Sequence, residues 1–344
     1  MKLIEKYIIK ELIPIFILGN FFFIFLLLLD KLISLSDLIF TKNVPFFFII
    51  ELIIFYIPSF LVITIPTSTL LASLIVYGRL SDDSELIAIK SFGANKISLY
   101  KPTIIFGTLS LILAILMSTY LMPLGNEFAI KKLFEVSKFV SIKDFKEHEL
   151  YTEIPGFILY ADKKINHNKY SGLIIINKDK NVVITSKLGT ITNTNDGNLI
   201  FNLKKGSLLN MSKTTPSKIE FSNFLINIPI IAKNKIDIKS ERLMTLKELK
   251  SNFKKNTLYK FEYSKRFALP FASIIMAFFG AILGSFFHRS GKTFGLFMSI
   301  LVVLVYNSLF IFSQNMINTM PPFLAAWIAN IIFCLLSILA LKKV

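Results

Sequence analysis

Runs of Ile, Leu and Phe alternate with short charged breaks toward both ends of this chain, while the middle third abandons that pattern. The first run covers about residues 12–29 and stops at Asp30, Lys31 and Leu32. A cleaved leader carries a shorter apolar core followed by small residues, so this run predicts a retained membrane helix. The second run, residues 46–77, is 32 residues long. As a helix it would measure roughly 48 Å against a hydrocarbon core of about 30 Å. Two crossings need about 40 residues, so one helix is expected, tilted, kinked or overhanging the membrane. Pro58 and Pro66 are its natural kink points. Further runs at about 100–122, 264–287, 293–316 and 323–341 bring the predicted crossings to six, with both termini on one side.

Gly78 to Ser98 is the one long charge-patterned stretch lying between two such runs. Ser81 is placed as an N-cap, with Asp82, Asp83 and Glu85 in the first turn, where a helix N-terminus favours carboxylates. Lys90 falls near the other end, and Gly93 is positioned as a left-handed stop. Leu86, Ile89 and Phe92 recur at helical spacing between those signals. The spacing predicts a short amphipathic helix tethered at both ends, which docks into another protein. The alternative is a helix lying among lipid headgroups. Its acidic start opposes that, because the cytoplasmic leaflet is itself negative.

Residues 123–260 hold no long apolar run. Short alternating stretches at 157–160, 172–176, 182–185, 199–203, 207–211 and 219–228 predict six strands. Asn- and Gly-rich turns separate them at 177–181 and 193–197. Strands without intervening helices indicate an antiparallel sandwich or open barrel. Thr245 and Glu248 form a capping-box signature for a further short helix. The expected fold is therefore an α-helical membrane protein with six transmembrane helices plus an inserted all-β domain. Its parts are 1–122, with the coupling segment at 79–98, then 123–260 and 261–344.

Composition supports this. Hydrophobic residues make up 53% and aromatic residues 14%, with a mean hydropathy of +0.62, which excludes an ordinary soluble domain. The net charge of +17 could suggest a nucleic-acid partner, but Lys predominates alongside many Asn, Ile and Phe residues, so the placement of charge is more informative than its sum. Lys2, Lys6, Lys10, Arg79, Lys90, Lys96, Lys101, Arg289, Lys292, Lys342 and Lys343 fall on one side of the predicted crossings. The short loops of the other side hold only Lys31 and Lys42. The first side is expected to be cytoplasmic, and the β domain to lie across the membrane from it. The single cysteine, Cys334, lies in an apolar run and offers no disulfide framework or zinc site.

At this point the chain resembles the LptF/LptG (YjgP/YjgQ) family over essentially its whole length. The resemblance rests on Lys6 to Leu12, on Pro66 to Ser73, and on Gly78 to Leu86, whose Gly-Arg-Leu-Ser-Asp-Asp-Ser-Glu-Leu run is the most specific. It extends to Ser91 to Gly93, Met244 to Leu249, Arg266 to Pro270 and Pro321-Pro322. The LptF-like branch is the nearer one. The resemblance implies a permease subunit of the ATP-driven exporter that extracts lipopolysaccharide from the inner membrane of Gram-negative bacteria. It implies pairing with an LptG-like (or LptF-like) sister permease and a periplasmic β-jellyroll that hands lipid to an LptC/LptA-like bridge. It also implies a cytoplasmic helix inserted into an LptB-like ATPase dimer. On that pattern Glu85 matches a coupling carboxylate and Lys31 a basic position near the lipid phosphates, while the first and fifth spans form lateral gates.

Gly291-Lys292-Thr293 looks like the tail of a phosphate loop, but the position five residues earlier is Phe286 rather than glycine, so ATP binding by this chain is rejected. Ala277, Gly280, Ala281 and Gly284, with Ser273 and Ser285, predict close helix packing, either within the chain or at a subunit seam. Asn307 and Gln314 share one face of the fifth span, beside Tyr306, Ser308, Ser313 and Asn315. That face is expected to line a substrate cavity or to bond a neighbouring helix. Lys-rich character across 123–262 suits a phosphorylated glycolipid or simply a solvated surface. His148, His167 and His288 are too scattered for a metal site, and no hydrolase spacing, cofactor motif or enzyme signature is found. The runner-up function is an envelope mechanotransmission or scaffold protein that uses the same docking helix without moving lipid. Glu85→Arg is expected to leave folding intact while uncoupling the ATPase.

Overall fold

The computed structural model describes residues 3–40, 46–93, 95–136, 147–152, 156–166, 168–178, 181–193, 198–211, 217–229, 241–286 and 291–343. Among the described residues six helices are long and apolar enough to cross a membrane, at Leu3–Ile33, Phe46–Asp82, Ser98–Leu133, Thr257–Phe286, Gly295–Asn315 and Pro322–Lys342. The chain forms two compact units. One comprises Met1–Ile33, Ile53–Glu127 and Lys239–Val344, the other Ser34–Leu52 and Phe128–Ile238.

α1 (Leu3–Phe40) opens the chain, and α2 (Phe46–Asp82) runs unbroken for 37 residues through Pro58 and Pro66. A short α3 (Glu85–Ser91) follows, then α4 (Lys96–Leu116). A π turn at Met117–Leu121 joins α4 to α5 (Met122–Val136), so the helical path continues beyond the apolar run that ends near Met122. Pro123 has no N–H to donate and its ring crowds the preceding turn; the wider π turn just before it accommodates both effects. After the β domain come α6 (Leu246–Ser251), α7 (Thr257–Phe286), α8 (Gly291–Asn315) and α9 (Pro322–Lys343).

α7 is the centre of the helical unit. In its most apolar stretch 67% of residues are buried, against 17–33% for the other five spans. One side of α7 joins α8 and α9 in a cluster that includes Ala268, Ala272, Phe279, Phe310 and Phe333. Its other end joins α1, α2, α3 and α4 through Ala281, Ile282, Tyr77, Tyr100 and Leu86. Close approach is made possible by glycine. A Cβ on Gly280 would lie 2.7 Å from the Leu70 carbonyl oxygen, and one on Gly284 2.6 Å from that of Leu74, both on α2. Gly107 of α4 faces Ala277 in the same manner, at 2.9 Å.

Several polar groups within this apolar packing find partners on neighbouring elements, which hydrocarbon surroundings favour. Thr64 of α2 donates to Asn20 Oδ1 of α1 at 3.0 Å. Tyr77 donates to the Leu99 carbonyl at 2.8 Å and accepts from Thr103 at 2.6 Å. Arg266, fully buried on α7, donates through Nη2 to the carbonyl of Glu241 at 3.1 Å, and Glu262 Oε1 lies 3.8 Å from its Nε. That contact ties the segment before α6 to α7. The expected capping box forms at α6: Glu248 Oε2 accepts from the Thr245 N–H at 2.7 Å and Thr245 Oγ1 accepts from the Glu248 N–H at 3.4 Å. The Thr245 backbone N–H, and after it the hydroxyl, hold the Glu248 carboxyl below the usual carboxylate range.

The β domain contains β1 (Phe157–Asn166), β2 (Lys169–Asn177), β3 (Val182–Asn193), β4 (Asn198–Asn210) and β5 (Ser217–Pro229). They form one antiparallel sheet in sequence order. Two of the six expected strands, 199–203 and 207–211, belong to the single strand β4, because the left-handed Lys205 at φ 53° interrupts the alternation without ending the strand. Among the described residues every strand pairs with its sequence neighbour, so consecutive strands run antiparallel, as expected of the inserted all-β domain. A crease crosses the sheet. Asp162, Gly172, Lys187, Lys205 and Ser222 are each missing from the pairing ladder, although the register is identical on either side. Gly172 at φ 63° and Lys205 reverse the in-and-out alternation there. On β2 the buried positions accordingly shift from Tyr170 to Leu173 and Ile175.

Two outcomes check this packing. Gly280→Ala is expected to lower the thermal midpoint in detergent, by about 1–3 kcal/mol of overpacking, because its Cβ meets backbone. Gly78→Ala, where nothing lies within 4 Å, serves as the unchanged control. Thr245→Ala should destabilise α6 by about 1 kcal/mol. Because the folded Glu248 pKa lies below its unfolded value, the carboxylate's contribution is present above the ordinary carboxylate range and is lost as pH falls through the folded value. Melting curves of wild type and Glu248→Gln should therefore converge in strong acid; a gap that persists there would contradict the cap.

Candidate functional site

The break between α2 and α3 concentrates the features expected of a coupling element, although its boundaries differ from the sequence expectation. Helix α2 does not end at Gly78; it continues through Arg79, Leu80, Ser81 and Asp82. Ser81 is therefore not an N-cap. It is buried, and its hydroxyl donates to the Ser285 carbonyl of α7 at 3.3 Å. Nothing in Gly78 to Asp82 breaks a helix once α7 packs alongside. The chain turns instead at Asp83 and Ser84, where Ser84 takes φ 59° and the Ser84 N–H bonds the Ser81 carbonyl at 3.1 Å. The helix that follows has seven residues, Glu85 to Ser91, and Ser84 caps it without a side-chain hydrogen bond. Gly93 ends the turn at φ 80°, as its position predicted. Ala94 lies outside the described residues.

The apolar stripe of α3 is divided between two roles. Leu86, only 5% exposed, packs in the chain's own core with Ile8, Leu12 and Tyr77. Ile89 packs against that cluster at its edge. Phe92 at 90% exposure and Ile87 at 57% point away from it. Leu86 thus fastens α3 to the bundle, and the large apolar side chains left exposed are Ile87 on α3 and Phe92 at its C-cap. Ile87 lies off the predicted stripe, of which Leu86 and Ile89 turn inward and Phe92 outward.

Arg79 and Glu85 come together through a residue not singled out from the sequence. Arg79 Nη2 donates to the Tyr7 hydroxyl at 2.9 Å, and that hydroxyl donates toward Glu85 at 3.2 Å. Arg79 also pairs with Glu11 at 3.3 Å. Tyr7 and Glu11 stand at i, i+4 on α1 and so share one face of its first turns, which also carry Glu5, Lys6 and Lys10. Asp82 and Asp83 are exposed at the turn. An arginine at position 85 would face Arg79, so Glu85→Arg disturbs the turn itself as well as any docking surface.

The other candidate residues lie elsewhere. Tyr306 and Asn307 line a small niche of about 20 Å³ with Val62, Pro66 and Thr67 of α2 and Ala272 and Met276 of α7. Tyr306 is also bound into the bundle: it donates to Asn330 Oδ1 at 3.0 Å, and Asn330 donates to the Ala268 carbonyl at 2.7 Å. Gln314 is half-buried two turns along α8 and does not line that niche. Lys31 Nζ sits 4.2 Å from the centre of the Tyr56 ring. Ala277, Gly280, Ala281 and Gly284 are buried on α7, and the two glycines face α2 of the same chain. Among the described residues no group of three His, Cys, Asp or Glu side chains is placed to hold a metal. His167, His288 and Arg289 lie outside the described residues.

The chain is 27% identical over 195 residues to an uncharacterized protein, RP871, of Rickettsia prowazekii (strain Madrid E), a match covering 56% of this chain and 54% of that protein. The match thus spans about half the length of that curated relative. The family described as lipopolysaccharide export system permease LptF/LptG matches residues 6–343, from the α1 turn carrying Tyr7 to the end of α9. The match is to the family as a whole and does not separate its two branches. With that reach, across all six spans and the inserted antiparallel sheet, the chain belongs to the LptF/LptG family.

Proposed function

We propose that this chain is a non-catalytic, inner-membrane permease subunit that moves lipopolysaccharide outward, driven by ATP hydrolysis in a separate LptB-like ATPase dimer. The observation that carries the coupling step is the division of α3: Leu86 anchors it in the bundle while Ile87 and Phe92 stand clear of it. A helix fixed on one side and apolar on the other can pass a partner's displacement into the spans it joins. On this reading both termini and α3 are cytoplasmic, following the excess of Lys and Arg in the short loops. The β domain is periplasmic and passes lipid to an LptC/LptA-like bridge.

A sister permease, LptG-like or LptF-like, completes the transporter. The apolar lining around Tyr306 and Asn307 and the side chain of Lys31 contribute to the lipid path: apolar side chains with few polar groups suit acyl chains, and a cation toward the outer end of the first span suits phosphate.

Reconstitution tests this directly. Proteoliposomes holding the chain, its sister permease and the ATPase should release lipopolysaccharide to a soluble acceptor on ATP addition. ATP hydrolysis without release would instead favour the scaffold reading. The two roles within α3 are also separable. Phe92→Ala should weaken ATPase association roughly tenfold or more, leaving the thermal midpoint of the isolated subunit unchanged. Leu86→Ala should lower that midpoint, at a cost of about 2 kcal/mol or more in stability. Equal loss of stability in both variants would contradict the assignment.

A further inference from the structure

The N-terminal turns of α1 grip the coupling turn on both sides of its break. The Tyr7 hydroxyl accepts from Arg79 on the last turn of α2, at 2.9 Å, and donates toward both carboxylate oxygens of Glu85, the first residue of α3, at 3.3 and 3.2 Å. Glu11, one turn further along α1, pairs with Arg79 at 3.3 Å. Beneath these contacts Ile8 and Leu12 share a core cluster with Leu86. Glu5, itself buried, pairs with Lys101 of α4 at 3.1 Å. Over two turns, then, α1 touches each of the three helices around the coupling turn. Along the chain, by contrast, α1 and α3 are separated by the whole of α2. The noncovalent route is the short one.

We propose that Tyr7 is a positioning residue that makes α3 and the cytoplasmic end of the first span move as one body; this rests on the coupling function proposed above. The apolar contact of Leu86 with Ile8 and Leu12 resists compression but is non-directional. The phenol supplies direction, because a single hydroxyl serves a guanidinium as acceptor and a carboxylate as donor, and both bonds are charge-assisted. Displacement of α3 by a partner would therefore draw α1 with it, without first passing along the length of α2. Phenylalanine at position 7 keeps the ring and its packing but cuts this link.

The test uses the full complex of chain, sister permease and ATPase in proteoliposomes loaded with lipopolysaccharide, comparing wild type with Tyr7→Phe. The expected result is normal assembly, ATP hydrolysis within about twofold of wild type, and lipopolysaccharide released per ATP reduced roughly threefold or more, as loss of part-exposed hydrogen bonds would give. Spin labels at Lys10→Cys and Lys90→Cys in a Cys334→Ser background supply a second readout. Their separation should hold steady through nucleotide turnover in wild type and broaden in Tyr7→Phe. Wild-type release per ATP with an unbroadened separation would overturn the inference, and so would failure of Tyr7→Phe to assemble, which would mark a merely structural role. A wild-type complex that itself releases no lipopolysaccharide would sink the transport reading. A transporting wild type beside an indifferent Tyr7→Phe sinks this inference alone.

Discussion

The helical unit depends on how closely α7 can approach α2. Inside a bilayer the hydrophobic effect does not drive helices together, since lipid chains are as apolar as leucine, so van der Waals contact and interhelical hydrogen bonds must do so. Gly280 and Gly284 bring the α7 backbone against the Leu70 and Leu74 carbonyls, distances no side chain would permit. With that seam closed, α7 can carry α8 and α9 on one side and α1, α3 and α4 on the other. The polar ties at Tyr77, Tyr100, Ser81 and Ser285 all lie where these helices converge.

The coupling turn sits at the end of this seam. Because Ser81 is held to α7 through the Ser285 carbonyl, α2 continues past Gly78 and the break falls at Asp83 and Ser84. The turn is consequently short, with its inner face occupied by Leu86 and its polar edge by Tyr7, Arg79, Glu11 and Glu85. A long, loosely tethered helix would absorb a push by bending. Seven residues braced by α1 and α2 have little room to do so. The same economy leaves Phe92 and Ile87 as the apolar side chains of α3 that extend from the bundle.

The β domain reaches its form by different physics. Its strands alternate in and out, yet one crease reverses that alternation across all five strands while the register is preserved. A bulge in a single strand would shift its pairing relative to its neighbour; left-handed residues at Gly172 and Lys205 redirect side chains without a shift. The result is a sheet whose two halves bury opposite parities of residue, with Tyr170 and Gly189 buried on one side of the crease and Ile175 and Ile184 on the other.

By itself the sequence determined the six spans, the single uninterrupted helix of the second run, the capping box at Thr245, the stop at Gly93 and the presence of an antiparallel β insert. Each of these follows from local facts: the length of an apolar run, the identity of a capping side chain, or the period of a strand. Where α2 ends, which face of α3 turns inward, and what Gly280 and Gly284 pack against were decided only by tertiary contacts. Ser81 is a good N-cap in isolation and becomes a bond to α7 in the fold. Leu86, Ile89 and Phe92 form one stripe on a helical wheel, yet α1 and α2 cover the first and leave the last in the open. Tyr7 enters the sequence reading only as part of the Lys6 to Leu12 stretch. Its role arises from Arg79 and Glu85, more than seventy residues away along the chain, and no local pattern encodes a contact over that distance.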